Sequence, residues 1–301
     1  MLSSLRPSAQ QFLLNVARVN YRMERAQARI STGLRITKAS DDPDQIATLL
    51  TARAYLEAAR QIQFNLGRVK GEVDSAEQTL QQGVRMFERI RTLGAQGLTG
   101  TQTAETRAML AGEIGSILEQ MVGVAGTVVE GRFIFSGDAD QTAPYTIDLT
   151  LADPFSPYQG SPATRLAQHP NGTTFAVAHT AEEIFDSVDP ATNVFDATNA
   201  LKLALEANDE TAIRTAVEGL VVAGTHLNSE VAFYGTRQNK IAEALEFGQM
   251  FQTRMEAQIS SLQDADVTEA IVDLQQGQTQ QQATLASWAQ MPRTTLFDFL
   301  G

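Results

Sequence analysis

Residues 5–30 read LRPSAQQFLLNVARVNYRMERAQARI. Apolar or small residues fall at Leu5, Ala9, Phe12, Val16, Val19, Met23, Ala26 and Ile30. The steps alternate between four and three, so these residues share one seam of an α-helix. A lone helix of this length is marginal in water, and the seam therefore needs a covering partner. The same spacing returns near the other end of the chain, at Val267, Ile271, Leu274, Gln278, Gln281, Leu285 and Trp288. Charge points the same way. The first forty residues carry seven Lys or Arg against Glu24, a net of +6, whereas residues 256–301 carry six Asp or Glu against Arg293, a net of −5. Opposite charge favours pairing the two ends and disfavours pairing either with itself.

Composition narrows the class. A chain of 301 residues can bury a sizeable core in one large domain or two to three ordinary ones. The formal charge of −12 counts against nucleic acid as a partner, since phosphate contacts need a basic surface. No cysteine is present, which removes disulfides, thiolate nucleophiles and Cys-based metal sites together. No run of eighteen apolar residues occurs, so no membrane span is expected. The N-terminus lacks a charged-then-apolar segment with a small-residue cleavage site, so the expectation is either residence in the cytoplasm or export with nothing removed.

Between the two ends, helical seams recur. The first helix is expected to close at Gly33, a residue suited to a left-handed helix end. The next opens at Asp42-Pro43-Asp44-Gln45, where Asp42 caps, Pro43 fits the first helical position and Gln45 completes a capping box. Asp41 and Asp42 are paired carboxylates, but helix-start preference already explains them, and no His or metal motif stands beside them. The second helix continues through Ile62, Leu66, Val69, Val73, Ala76, Leu80, Phe87 and Ile90 to a break at Gly94–Gly97. A third carries Leu110, Ile114, Ile117, Met121, Val124 and Val128 and is expected to stop at Gly131. Gly71, Gly83, Gly112, Gly115 and Gly123 lie inside these helices, and close helix packing is the expected reason.

After Gly131 the period shortens to the strand-like Arg132–Ser136, and a Pro-, Gly-, Thr- and Asp-rich stretch follows to about Asp196. His169 and His179 lie there without ligand spacing and read as surface residues, while His226 stands alone in a helix. Helices resume near Ala197 and Glu210, and the last long seam runs from Leu220 to Leu262, interrupted by Gln238 and Gln252, which fix register. A break at Gln263–Asp266 starts the final helix, capped by Asp266. At the end, Leu296, Phe297, Phe299 and Leu300 stay apolar with little to cover them. The fold expected is mainly α, a long antiparallel coiled-coil helical bundle formed by both chain ends with a small β-rich insertion. Residues 1–42 with 264–301 would form the terminal helices, 43–137 with 195–263 a helical domain, and 138–194 the insertion. No phosphate loop, His-Glu-x-x-His, Gly-x-Ser-x-Gly or dinucleotide fingerprint occurs, so neither catalysis nor a cofactor nor a metal is expected.

Two stretches are similar to a known family. Ile30-Ser31-Thr32-Gly33-Leu34-Arg35-Ile36 followed by Ser40-Asp41-Asp42-Pro43 resembles the N-terminal signature of the bacterial flagellin family. Leu262–Gln276, with the Leu296-Phe297-Asp298-Phe299-Leu300 finish, resembles its C-terminal one. Pro43 and Gly131-Arg132-Phe133-Ile134-Phe135-Ser136-Gly137 look like the branch found at the hook–filament junction, since flagellin usually lacks that proline. The likeness covers residues 1–137 and 195–301.

The resemblance implies terminal helices that order only against each other and neighbouring subunits in a tubular assembly. It implies unfolded export through the flagellar type III apparatus with an uncleaved N-terminus, an export chaperone in the cytoplasm, and a final place in the extracellular flagellum. The assembly implied is a homo-oligomeric ring joining the hook-side junction protein, hook-associated protein 1, to flagellin. Leu5, Phe12, Val16, Val19, Met23 and Ile30 would supply inner-tube contacts from one side, and Val267, Ile271, Leu274, Leu285, Trp288, Leu296 and Phe299 from the other. Leu34, Ile36, Asp41, Asp42 and Pro43 would form the turn that meets adjacent subunits. Two alternatives stand beside this: a flagellin that polymerises into the filament, and a secreted enzyme with its site in the insertion. The metallopeptidase histidine motif that the latter would need is missing between Gly137 and Asp196.

Overall fold

Capping chemistry sets the helix boundaries in the computed structural model, which describes residues 7–290. Helix α1 (Pro7–Thr32) ends where Gly33 turns left-handed at φ +69° and donates its N–H to Arg29 O at 2.9 Å. Helix α2 (Pro43–Gly97) has Pro43 as its first residue, with Asp42 Oδ1 accepting from Gln45 N at 3.3 Å. The capping box is not completed there, because Gln45 Oε1 accepts from Arg35 Nη2 instead. Helix α3 (Ala104–Ala125) carries a reciprocal box between Thr103 and Thr106 that the sequence reading missed.

The chain divides into two compact units, Met1–Ala58 with Phe251–Gly301, and Ala59–Met250. In the second, α2 packs on α6 (Glu210–Gln263) in an antiparallel register. Contacts ascend one helix as they descend the other: Gln63 to Gln249, Glu77 to Gln238, Phe87 against Gly224, and Gly94 against Val217. The seam residues Leu66, Val73, Ala76, Leu80, Phe87 and Ile90 are buried against Leu220, Leu227, Tyr234 and Ile241. Polar Gln238 in that seam donates to Glu77 at 3.4 Å. Helix α3 is long and apolar enough by composition to cross a membrane, contrary to the reading of apolar runs, but it is half buried and brings Ile114, Ile117 and Met121 into this core. A Cβ at Gly94 or Gly97 would strike Leu201, Val217 or Leu205, so these glycines mark the close approaches. Gly71, Gly112 and Gly123 face open space, which overturns helix packing as their reason, and nothing in the structure explains them.

The middle of the chain departs from its expected outline. Helix α3 ends at Ala125, six residues before Gly131. Val128 instead enters a tight hairpin of β1 (Val128–Val129) and β2 (Arg132–Phe133). Glu130 and Gly131 both have positive φ, 50° and 78°, as a type I′ turn requires. The strand expected over Arg132–Ser136 is only two residues long, because Ile134 and Phe135 drop into the core. A second hairpin pairs β3 (Leu166–Gln168) with β4 (Thr174–Ala176), and a short helix α4 (Ala181–Phe185) precedes α5 (Val194–Glu206). Strand content is small, and Tyr145–Leu151 makes only an isolated bridge from Ile147 to Phe155. Aromatics anchor this stretch to the same core: Phe195 stacks on Phe155 at 4.6 Å and on Phe185 at 5.3 Å. His179, expected at the surface, is half-buried, with its side chain 28% exposed and its ring stacked on Phe233 at 3.7 Å.

Leu80→Ala is expected to cost about 2–5 kcal/mol in urea unfolding through the cavity it leaves. Leu166→Ala, at a largely exposed strand position, is expected to stay within about 0.5 kcal/mol; equal effects at the two sites would contradict this core.

Candidate assembly interface

The two stretches that carried the family likeness, some 230 positions apart, close on one another in the first unit. Past Gly33 the chain runs alongside the turn after α6: Arg35 N donates to Gln263 O at 2.6 Å, Ala265 N donates to Gly33 O at 2.9 Å, and Leu34 faces Asp264 in a bridge. Arg35 then fastens three segments. Its Nη1 pairs with Asp42 Oδ2 at 2.9 Å, and its Nη2 donates to Gln45 Oε1 at 3.0 Å and to Leu262 O at 2.6 Å. A planar fork with fixed donors suits such divergent acceptors. Buried Gln263 answers from the other side, its Oε1 accepting from Arg53 Nη2 at 2.7 Å and its Nε2 donating to Ile36 O at 3.3 Å. Ile36 itself is buried.

The loop before α2 is closed by Asp41. Its Oδ2 accepts from Lys38 N, Thr37 N and Thr37 Oγ1 at 2.9–3.0 Å. Those bonds, with the Lys38 amide foremost, hold its carboxyl at about 2, below the ordinary 3.8. Asp41 and Asp42 are thus both occupied in shaping the turn, and Pro43 is exposed beside them.

Helices α1 and α7 (Val267–Ala289) pack antiparallel. Phe12 stacks on Trp288 at 4.4 Å, Asn20 accepts from Gln281, Arg22 donates to Gln280, and Met23 lies over Gly277. Val19 and Ala26 are buried on this seam, with Val16 and Ile30 half-buried. A Cβ on Gly277 would come within 2.5 Å of Met23 Cγ, so the glycine allows the close approach. The face of α7 turned to α1 is therefore Ala270, Leu274, Gly277, Gln281, Thr284 and Trp288.

This corrects the expected register. Val267, Ile271 and Leu285 sit about 60–100° around α7 from the centre of that face and are 41–51% exposed. On α1, Leu14 and Tyr21 likewise point away from α7 and are exposed. Among the described residues no ion pair joins the two helices, so their opposite charges are not spent on direct contacts. Leu5, Leu296 and Phe299 lie outside the described residues. Among the described residues no cluster of His, Asp and Glu fits a metal ion.

Comparison with known proteins gives this geometry a context. The bacterial flagellin N-terminal helical region matches residues 5–140, and the C-terminal helical region matches residues 217–300. The chain belongs to the bacterial flagellin family. It is 27% identical over 293 residues to flagellar hook-associated protein 3 of Escherichia coli, covering 89% of this chain and 90% of that one. It is 22% identical over 283 residues to a flagellar filament 33 kDa core protein of Treponema phagedenis, covering 92% and 91%. Its fold matches the crystal structure of flagellar hook-associated protein 3 from Legionella pneumophila with a TM-score of 0.62 and 14% identity, over 70% of this chain and 98% of that one. In this flagellin-family chain the two signatures are the two halves of one joint. Arg53 and Gly277 belong to it and to the seam without having been singled out in the sequence, and Gln263, which stood in the quoted signature, gains a role there. A glycine inside the last helix was the available signal for Gly277.

Arg35→Ala is expected to weaken the joint by about 1–3 kcal/mol, because Leu262 O and Asp42 lose a charged donor. Hydrogen exchange at the Ala265 amide reads this directly, and unchanged protection there would refute the role given to Arg35. Because the Asp41 carboxyl is held low, its ordering of the turn is complete above pH 3.8 and is lost as pH falls through about 2. The Thr37 and Lys38 amide shifts should move with that midpoint, and a midpoint near 3.8 would contradict the three-bond geometry.

Proposed function

We propose that this chain is a structural junction protein of the bacterial flagellum, adapting the hook-side assembly to the flagellin filament by helical self-assembly. The observation that carries the reading is the paired terminal helices, closed by the two family signatures, which leave Leu14, Tyr21, Val267, Ile271 and Leu285 uncovered on their outward sides. Apolar side chains in such number on a packed helix pair suit burial by neighbouring subunits. Likeness along nearly the whole chain to a hook-associated protein supports the junction role.

On this reading the chain is not an enzyme. It is exported through the flagellar type III apparatus, escorted by a cytoplasmic chaperone, and forms a ring between hook-associated protein 1 and flagellin in the extracellular flagellum. Residues 1–42 with 264–301 line the inside of that ring, and the turn from Leu34 to Pro43 meets adjacent subunits. The filament-core relative favours a second reading, a subunit that itself polymerises into the filament. A null strain separates them. Hooks without filaments, with flagellin shed to the medium, support the junction protein. Long fibres grown from the purified chain alone would instead establish the filament subunit. Complementing the null strain with Val267→Asp/Ile271→Asp is expected to cut filament attachment at least about tenfold, since charges would have to be buried at the interface.

A further inference from the structure

The chain holds three histidines, and all three lie where the stretch between β2 and α5 packs on α6. The His169 ring, at the β3–β4 turn, leans on Phe247 at 5.2 Å. His179, just ahead of α4, stacks on Phe233, and its Nδ1 lies 2.6 Å from Glu230 Oε2. His226, on α6 itself, places Nε2 3.0 Å from the Glu183 main-chain oxygen in α4. From residue 226 to residue 247 is about 30 Å of helix, so the titratable rings are spread along the whole contact. The pair at its centre is the best enclosed. Glu230 is only 8% exposed, and a carboxylate so buried needs a cationic or donor partner. The His179 main chain is fastened as well, since its N–H donates to Tyr234 Oη at 3.1 Å.

We propose that this contact is a proton-operated latch, in which the His179 imidazolium held by Glu230 clamps α4 and its leading loop onto α6, and loss of that proton loosens them while the helical core stays intact. Burial is the largest influence on the ring and works against its charge. Glu230 from α6 and Glu183 from α4 work for it, and Arg237 from α6 against it; on balance the ring's pKa is raised above its ordinary 6.5. The folded chain therefore holds the proton more tightly than the unfolded one. The latch contributes fully below pH 6.5 and progressively less as pH rises through the raised value. His169 makes a different contact: its Nδ1 accepts the Asn171 N–H at 3.1 Å.

The Ala181 amide, which donates to Phe135 O at 2.7 Å at the start of α4, reports the latch. In the full-length chain, hydrogen exchange at pH 6 and pH 9, corrected for intrinsic rates, should show Ala181 protection falling at the higher pH while Leu118 in the α3 core is unchanged. Glu230→Gln keeps an acceptor and removes the charge, and it should abolish that fall; His169→Gln and His226→Gln should keep it. A wild-type chain with no fall at Ala181, a Glu230→Gln chain that responds like wild type, or Leu118 moving together with Ala181 would each overturn the latch. If Glu230→Gln does not fold, the imidazole carbon shifts of His179 in the wild-type chain decide: a midpoint above 6.5 supports the proposal, and one at or below 6.5 refutes it.

Discussion

The main-chain and guanidinium contacts between Gly33–Ile36 and Leu262–Ala265 are the constraint on which the terminal helices depend. Arg35 and Leu262 are 227 positions apart, and closing so long a loop costs configurational entropy that a few hydrogen bonds do not supply. Within the first unit the closure is spread over several bonds: Arg35 holds Leu262 O, Arg53 holds Gln263 from α2, and Gln263 holds Ile36 O, so each of these polar groups has a partner.

What the joint delivers is a direction. It launches α1 and α7 as an antiparallel pair whose register is set by Met23 over Gly277 and closed at the far end by Phe12 on Trp288. Apart from Leu274 and Trp288, the α7 side of this seam is small or polar: Ala270, Gly277, Gln281 and Thr284 face α1. Backbone proximity replaces side-chain bulk, and amide pairs such as Asn20 with Gln281 replace ion pairs.

Much of this was legible in the sequence because four-three spacing survives any tertiary detail. The seams of α2 and α6 were read correctly residue by residue, since helices buried on a broad face leave little choice of rotation. The α7 seam was read in part: Leu274, Gln281 and Trp288 do face α1, whereas Val267, Ile271 and Leu285 lie about 60–100° off it, because small Ala270 and Gly277 and polar Thr284 complete the packed face and a hydrophobic pattern ignores them. The end of α3 was misplaced because Val124 and Val128 continue the helical spacing, and only the paired positive-φ turn at Glu130–Gly131 overrides it. Arg35 and Asp42 stood in the quoted signature, but the other partners of Arg35, the Leu262 main-chain oxygen and the Gln45 amide, have no sequence pattern of their own.

The misread face is also where the energetics of the terminal pair lie. Beyond Phe12, Val19 and Met23 on one helix and Leu274 and Trp288 on the other, the seam joining these helices of 26 and 23 residues is alanine, glycine and polar groups, a modest apolar surface for the backbone they must order. Ordering costs about 1–2 kcal/mol per residue before any contact is counted. The apolar groups that would offset this, Leu14 and Tyr21 on one helix and Val267, Ile271 and Leu285 on the other, are turned outward. On the junction reading, neighbouring subunits that bind the folded pair would stabilise it by mass action. The outward side chains would then be the ones that make its folding respond to neighbours, and a seam register displaced from the apolar flank would couple the ordering of the ends to association.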